Sequence, residues 1–230
     1  MPSGGAASAG EVGPEVSRDS RKGRSVIAAL FVSERGPYVG LPGVECWTVT
    51  KDARTYAGPW PVVAHPPCER WGRYWHGGPS ARVRRAKGDD AGCFASALAS
   101  VRTWGGVLEH PAASSAWEFH GLIPPPRAGG WVVADWFGGW TCCVDQGHYG
   151  HRAQKATWLY ACGLPELPRL RWGKSSSRAR LDDGYHSAEE RRRKVRTGMC
   201  QRLSKRERTE TPVAFRDLLL SMASQKVLAA

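Results

Sequence analysis

Residues 60–68 read Trp-Pro-Val-Val-Ala-His-Pro-Pro-Cys. The apolar first half predicts a short buried strand, and this strand runs directly into a loop that carries His65 and Cys68. In open α/β sheets, ligands bind in the crevice beyond the ends of such strands. The elements on either side of residues 60–68 therefore determine what lies beside these two side chains.

Two predicted strands precede this stretch. Residues 25–32 form an almost continuous apolar run, which is typical of a parallel strand covered on both faces. A turn rich in Gly and Pro, residues 36–43, separates it from a second short strand at 44–49. Only about ten residues connect Phe31 to Val44, which is too few for the helix that usually joins parallel strands.

The chain then alternates between helical and extended patterns. Residues 91–104 have apolar side chains at helical spacing, with Asp89 and Asp90 as candidate N-caps. A short buried strand at 107–108 leads to Glu109 at its end. The later elements are an amphipathic segment at 116–122, aromatic strands at 131–136 and 140–144, and a final strand at 157–162. This order predicts an α/β sheet that ends in an antiparallel pair.

Three polar motifs lie beside the ends of these strands. They are the loop at 65–68, the Glu-His-Pro sequence at 109–111, and the stretch from Tyr149 to Thr157 that contains Lys155. Because side chains at successive strand ends meet at one edge of an α/β sheet, we expect the three motifs to converge on one site.

The first two motifs resemble the catalytic motifs of the DNA cytosine-5 methyltransferases. Cys68 follows two prolines, as the nucleophile does in that family's Pro-Pro-Cys motif, and Glu109 stands where the family has the Glu of Glu-Asn-Val. Residues 138–163 are similar to the family's late hairpin, which carries Gln-x-Arg-x-Arg. The chain is more similar still to small phage and actinobacterial proteins with the patterns Ala-His-Pro-Pro-Cys, Glu-Asn/His-Pro, Lys-x-Thr and Leu-Pro-x-Leu. The resemblance extends from about Ala28 to Leu167.

The resemblance implies an abbreviated Rossmann-like, methyltransferase-type three-layer sheet with a terminal antiparallel hairpin, and S-adenosylmethionine as cofactor. It assigns cofactor binding to Phe31, Gly36, Asp52 and Pro66, and it implies a bacterial cytoplasmic protein encoded by a phage or mobile element.

The short connection after the first strand departs from the family, which has a Gly-rich turn and a long helix there. The cofactor pocket is therefore expected to be abbreviated, and a second subunit is one way to complete it. Thr157 replaces the second Arg of the late motif, and no separate target-recognition domain of the usual size is present.

The reaction implied is modification of a pyrimidine, at C5 of cytosine in DNA. C5 is a weak nucleophile, and addition of the Cys68 thiolate to C6 converts the ring into an enamine that attacks an electrophilic carbon. Glu109 would stabilise this adduct as a proton donor near ring N3. Lys155 and Arg152 are candidate cations for a phosphate or for developing charge.

Each of these residues also has a purely structural interpretation. Cys68 belongs to a residue type that proteins often bury, and Glu109 has Arg70 and Arg73 as alternative ion-pair partners. His and Cys side chains also bind zinc, but there is no Cys-x-x-Cys pair, and two prolines separate His65 from Cys68. The sequence therefore predicts no metal site.

The charge distribution points to a polyanionic partner. The 230 residues carry a formal net charge of +12, and residues 169–208 contain 14 Lys and Arg against 5 Asp and Glu. At the centre of this segment is the basic run Arg191, Arg192, Arg193 and Lys194. Such a run predicts contact with DNA phosphates, because each neutralised phosphate releases counterions; a solvated tail is the alternative.

A second candidate DNA contact follows Cys68. Arg70 and Arg73 are interleaved with Trp71, Tyr74 and Trp75. Aromatic rings between cations are typical of surfaces on which bases stack.

The composition and patterning bound the remaining possibilities. No apolar run approaches the roughly 18 residues of a membrane span, and the first 25 residues lack a signal peptide's apolar stretch. Seven irregularly placed cysteines favour reduced thiols in the cytoplasm.

The predicted organisation is a disordered leader (1–24), an α/β domain (25–168), a basic linker without regular pattern (169–208) and a docking helix capped by Thr211 (209–230). Three functions remain open: pyrimidine modification of DNA, catalytically silent binding of nucleic acid by the same fold, and modification of free nucleotides.

Overall fold

The computed structural model of the chain describes residues 26–77, 82, 85–177, 179, 181, 188–193 and 203–225. The predicted leader, residues 1–24, lies outside them. The strands are β1 (Ile27–Leu30), β2 (Val44–Trp47), β3 (Val62–Ala64), β4 (Gly106–Pro111), β5 (Val132–Val133), β6 (Trp140–Asp145) and β7 (Ala156–Cys162). The helices are α1 (Cys93–Trp104), α2 (Ala116–Phe119), α3 (Ala188–Arg193), α4 (Lys205–Thr209) and α5 (Val213–Ser224), with 3-10 helices at Ala53–Thr55 and Gln146–Tyr149.

Within this part of the chain, the strands form one mixed sheet in the order β2-β1-β3-β4-β7-β6-β5. Strands β2, β1, β3 and β4 are parallel, whereas β7 is antiparallel to both β4 and β6, and β5 is antiparallel to β6. The chain places β2 on one side of β1 and then β3 on the other, so the strand order reverses between β1 and β3. Such a reversal leaves a crevice beyond the carboxyl ends of the two strands.

The sheet is covered on both faces, and β1 shows why its sequence is entirely apolar. Ala28 and Leu30 pack with α1 and α2, whereas Ile27 and Ala29 pack with α5 on the opposite face. Successive side chains of a strand point to opposite faces, so a strand between two layers of helices needs apolar residues at every position. The predicted α/β class is confirmed, with helices against both faces.

Helix α1 begins at Cys93, two residues later than the sequence predicts, because Asp90 caps it from outside. The carboxylate of Asp90 accepts hydrogen bonds from the backbone N–H of Gly92 at 3.0 Å and of Phe94 at 2.9 Å. It also accepts one from Nε1 of Trp71 at 2.8 Å. Trp71 is only 2% exposed, so its predicted role in base stacking is wrong and it belongs to the core.

Strand β4 is longer than predicted, and this changes the position of the candidate acid. It pairs with β7 over six residues, from Gly106 to Pro111, whereas its pairing with β3 ends at Leu108. Glu109 therefore lies inside β4 and not after it. Because Pro66 and Pro67 cannot donate backbone hydrogen bonds, β3 does not continue alongside. The β3 side of β4 is consequently open beyond Leu108.

The C-terminal region is more regular than predicted. Helices α3 and α4 lie in the segment that the sequence indicates as irregular, and α4 has a capping box in which Ser204 and Glu207 each bond the other's backbone N–H. Helix α5 begins after Pro212, so Thr211 is not its N-cap. Its docking on the sheet is as predicted, because Phe215 and the other apolar residues of one face are buried. Neither α5 nor any other described helix is long and apolar enough to cross a membrane.

Candidate functional site

The three predicted motifs converge at the carboxyl edge of the parallel strands. His65 follows β3 directly, and its backbone N–H donates to the carbonyl of Leu30 at the end of β1 over 3.0 Å. Glu109 lies in the next strand, β4, and is paired with Leu159 of β7. Lys155 immediately precedes β7. The parallel order of β1, β3 and β4 and the antiparallel insertion of β7 bring these residues together.

A continuous chain of side-chain hydrogen bonds crosses this edge of the sheet. The Tyr38 hydroxyl lies 2.8 Å from Nε2 of His65, and Nδ1 of His65 lies 2.9 Å from Oε2 of Glu109. On the other carboxylate oxygen, Nε2 of Gln146 donates to Glu109 Oε1 over 3.1 Å, and the same amide nitrogen donates to Oγ1 of Thr157 over 2.9 Å. The carboxylate of Glu109 thereby links the loop after β3 to the 3-10 helix after β6, and these two segments are bonded in turn to Tyr38 and to Thr157 of β7.

The charge state of Glu109 follows from these contacts. Burial acts to raise the pKa of its carboxyl, but the hydrogen bond and charge of His65 act in the opposite direction, together with the charge of Lys155. The net result is a pKa below the usual value of a glutamate. Glu109 is therefore ionised at neutral pH, and Nδ1 of His65 is the donor in the bond between them.

Cys68 is the exposed thiol of this site. Desolvation by the surrounding chain raises the pKa of this thiol, the nearby charge of Glu109 raises it further, and Lys155 opposes them. The pKa of Lys155 is in turn lowered by burial, while Glu109 and Cys68 act to raise it. The ammonium of Lys155 also donates to the carbonyl of Glu210, over 3.2 Å. Thiol, carboxylate and ammonium thus form one electrostatically coupled group.

His110, the neighbour of Glu109, points to the other face of the sheet. It packs against Phe94 and Trp117, is 1% exposed, and neither ring nitrogen has a hydrogen-bond partner in the described residues. Burial lowers the pKa of His110 to about 4. The described residues contain no group of three or more His, Cys, Asp or Glu side chains that could hold a metal ion.

A cleft of about 850 Å³ lies at the reversal of strand order, beyond the ends of β1 and β2. Four described residues other than glycine have positive φ, and three of them line this cleft: Phe31 at 58°, Asp52 at 46° and Ala91 at 57°. Non-glycine residues in this conformation are strained and cluster at ligand sites. Pro67, the residue before Cys68 in the chain, also lines the cleft, whereas Cys68 is not among its lining residues.

The four residues assigned to cofactor binding have different positions. Phe31 and Asp52 line the cleft, and Arg54 binds both carboxylate oxygens of Asp52 at 2.8 Å. Gly36 does not line it and instead forms a turn in which its N–H donates to Ser33. Pro66 is buried behind Pro67.

The candidate DNA-binding residues are only partly placed at this edge. Arg70 donates to the carbonyl of Trp75, and Arg73 lies over the ring of exposed Tyr74 at 5.6 Å, both in the loop after Cys68. Arg191, Arg192 and Arg193 end helix α3, and Arg193 forms an ion pair with Glu189 at 3.1 Å. Lys194 lies outside the described residues.

The sequence does not predict two members of the hydrogen-bond chain, Tyr38 and Gln146. Tyr38 lies in a turn rich in Gly and Pro, where its pattern indicates only a loop, and Gln146 follows a strand without a recognisable motif. Gln146 carries a signal in the structure, because it is fully buried and its Oε1 has no partner among the described residues.

No protein-family model, curated protein sequence or solved structure matches the chain.

Proposed function

We propose that the protein modifies C5 of a pyrimidine, cytosine in DNA, with Cys68 as the nucleophile and Glu109 as the group that exchanges a proton with the ring. The observation that carries the proposal is the adjacency of a thiol, a carboxylate and a cleft. Pro67 lines the cleft, the next residue is an exposed cysteine, and the charge of Glu109 reaches that thiol. A reactive centre beside a nucleotide-sized crevice is the arrangement that such chemistry requires.

The sheet supports the finer fold assignment that this proposal needs. An abbreviated methyltransferase-type sheet begins with parallel strands and ends in an antiparallel hairpin, and here β7 and β6 supply that hairpin after β4. The nucleophile follows β3 and the carboxylate lies in the adjacent β4. This order of residues and strands supports the proposal.

The cleft fits S-adenosylmethionine in size and chemistry. About 850 Å³ is within the range of sites for molecules of that size, and strained residues are concentrated in its walls. Phe31 and Asp52 would hold the nucleoside part, and the charged side chains of Glu34 and Arg35 in the wall suit a ligand with both an ammonium and a carboxylate. When bound, the cofactor supplies an electrophilic methyl group. One wall is only the loop between β1 and β2, because no helix joins these strands.

The protein's own residues account for the remaining steps. The positive charge of Lys155 favours formation of the Cys68 thiolate, and the negative charge of Glu109 opposes it. The thiolate then adds to C6. Glu109 is held in place from both sides, by His65 and Gln146, so its carboxylate is preorganised toward the ring. Exposed Tyr74, with Arg73 beside it, extends the site toward a nucleic acid strand.

The proposal is tested with oligonucleotide DNA that contains 5-fluorocytosine. Fluorine blocks the proton loss that releases the enzyme, so the wild-type protein with S-adenosylmethionine should form a covalent adduct detectable by mass spectrometry. Cys68→Ser should form none, while Cys46→Ser, which changes a cysteine that does not line the cleft, is the matched control that should retain it. An adduct that survives Cys68→Ser removes Cys68 from the mechanism. No adduct in any protein, with DNA still bound, favours the catalytically silent function.

Cofactor binding is measured separately by isothermal titration of the full chain with S-adenosylmethionine. We expect binding that weakens at least tenfold in Asp52→Ala, because this removes both a wall residue and the partner of Arg54. If wild-type protein shows no heat and no thermal stabilisation, the cleft is not the cofactor site.

A further inference from the structure

Glu109 has no proton of its own to give at neutral pH. Its two oxygens accept hydrogen bonds from His65 and Gln146, and its pKa lies below the usual value. The proposed reaction nevertheless requires a proton at ring N3, since the electron pair displaced by sulfur addition ends on that nitrogen. Another group must therefore supply the proton that Glu109 passes to the base.

We propose that His65 supplies this proton through Glu109, an inference that rests on the proposed function. Among the described residues, two side chains donate to the carboxylate, and the Gln146 amide is not an acid in water. The imidazole of His65 is the titratable one, and its Nδ1 is 2.9 Å from Oε2. His65 does not itself contact the base; it is a positioning residue that acts through Glu109.

The step balances as follows. His65 begins as the imidazolium, Glu109 as the carboxylate and Cys68 as the thiolate, whose own proton has left to solvent. A bond forms between Sγ and C6, the C5–C6 double bond shifts to C4–C5, and the electron pair of the C4–N3 double bond moves to N3. Nδ1 of His65 passes its proton to Oε2 of Glu109, and the carboxyl group so formed gives that proton to N3. The products are a neutral enamine adduct, the carboxylate and the neutral imidazole.

The ring of His65 has a hydrogen-bond partner on its other nitrogen as well. Its Nε2 lies 2.8 Å from the hydroxyl oxygen of Tyr38, which accepts from the imidazolium and donates to the neutral ring. Burial and the charge of Glu109 raise the pKa of Tyr38 well above the usual value, so the phenol stays protonated. The charged and titratable groups that act on this chain are Glu109 and His110 of β4, Lys155 before β7, Cys46 of β2, and Arg216 and Asp217 of α5.

The experiment measures exchange of the C5 hydrogen of cytosine in DNA, without cofactor. In D₂O, reversible addition of Cys68 replaces this hydrogen by deuterium, because the enamine takes up a deuteron at C5 before sulfur leaves. In the wild type, the gain of thiolate with rising pH is offset by the loss of imidazolium. The exchange rate should therefore rise less steeply with pH than the thiolate fraction does.

His65→Asn is the decisive variant, because the asparagine amide can keep the hydrogen bond to Glu109 but has no proton to transfer. We expect its exchange rate to fall by about 10²–10⁴-fold, the usual contribution of acid–base catalysis, and to rise about tenfold per pH unit through the neutral range. Unchanged rate and profile in His65→Asn would overturn the proposal and leave His65 a purely structural residue.

The results for His65→Asn can be distinguished from a failure of the proposed function itself. If the wild-type protein binds DNA but neither exchanges the C5 hydrogen nor forms the fluorocytosine adduct, the reaction is wrong and the inference falls with it. If wild type exchanges and Cys68→Ser does not, the reaction stands and the His65 variant decides the inference alone. His148→Asn, the same substitution at a histidine outside the hydrogen-bond chain, is the matched control and should retain the wild-type rate and pH profile.

Discussion

Nδ1 of His65 lies 2.9 Å from Oε2 of Glu109, although 44 residues separate them in the chain. Each side chain is 12% exposed, so the pair is nearly buried and weakly screened by solvent. It joins the end of β3 to the open edge of β4, and it is the contact that keeps a buried carboxylate ionised.

Replacing His65 with Leu should raise the pKa of Glu109 above the usual value of a glutamate. The variant removes the hydrogen bond and the charge that lower this pKa, whereas burial, which raises it, remains. Carboxyl ¹³C NMR titration of the variant and the wild type, with Glu109→Gln to assign the signal, measures the change. An unaltered titration would show that Lys155 alone keeps Glu109 ionised.

Alkylation of Cys68 should respond in opposite directions to its two charged neighbours. Glu109 raises the pKa of the thiol and Lys155 lowers it. At pH 8, iodoacetamide should therefore modify Cys68 several-fold faster in Glu109→Gln and several-fold slower in Lys155→Met than in the wild type. Peptide mass spectrometry follows the rates, and buried Cys142 is the internal control that should not react. Equal rates in all three proteins would mean that these charges do not reach the thiol.

His110 should make the protein less stable in mild acid. Its pKa is about 4 in the folded protein against about 6.5 in the unfolded chain, so the unfolded state binds more protons between these values. The contribution of His110 to the free energy of unfolding is fully present above pH 6.5. As the pH falls from 6.5 to 4, the free energy of unfolding should decrease by about 3 kcal/mol.

His110→Leu separates this effect from that of Glu109, which also loses stability toward low pH. Urea unfolding of both proteins from pH 4 to 7 gives the difference, and that difference should shift in favour of the variant as the pH falls. A difference that does not vary with pH would indicate that His110 finds a partner when protonated.

The hairpin of β5 and β6 should depend on Asp135. This carboxylate is 4% exposed, binds Arg102 at 2.7 Å and accepts from Tyr160 and from the backbone N–H of Phe137 and Gly139. Asp135→Ala should cost about 3–5 kcal/mol of unfolding free energy, because Arg102 loses its buried partner. Glu189→Ala, which breaks a pair with Arg193 that is exposed on both sides, is the control and should cost under about 1 kcal/mol. Chemical denaturation would contradict this assignment if the two losses were equal.

Neutralising Arg191, Arg192, Arg193 and Lys194 should make DNA binding less sensitive to salt. Each lost phosphate contact reduces the slope of log affinity against log salt by roughly 0.9 on duplex DNA. Fluorescence anisotropy over a salt series measures the slope, and thermal midpoints should hardly change because Arg192 and Arg193 are exposed. An unaltered slope would leave this run a solvated segment and favour free nucleotides as the substrate.

Short-range sequence patterns predict which segments are strands, and their order, better than they predict the residues at which each strand begins and ends. The apolar runs mark β1, β3 and β7 because a strand covered on both faces needs apolar residues throughout. The sequence pattern does not predict that β4 continues through Glu109 and His110. These polar residues belong to the strand because they pair with β7, which lies far away in the chain. Trp71 is misread for the same reason, because its partner Asp90 is 19 residues away.

The sequence by itself determines the α/β class, the apolar strands, and the presence of Cys68 and Glu109 beside neighbouring strands, because these depend on residue type and on local periodicity. Only the tertiary structure decides what surrounds them. The hydrogen-bond chain from Tyr38 through His65 and Glu109 to Gln146 and Thr157 depends on the neighbouring positions of β3, β4 and β7 in the sheet. The strained cleft lies beyond the ends of β1 and β2 and reaches Pro67 after β3. Hydrogen bonds and charge act over a few ångströms of space, and strand order sets that spacing, whatever the separation along the chain.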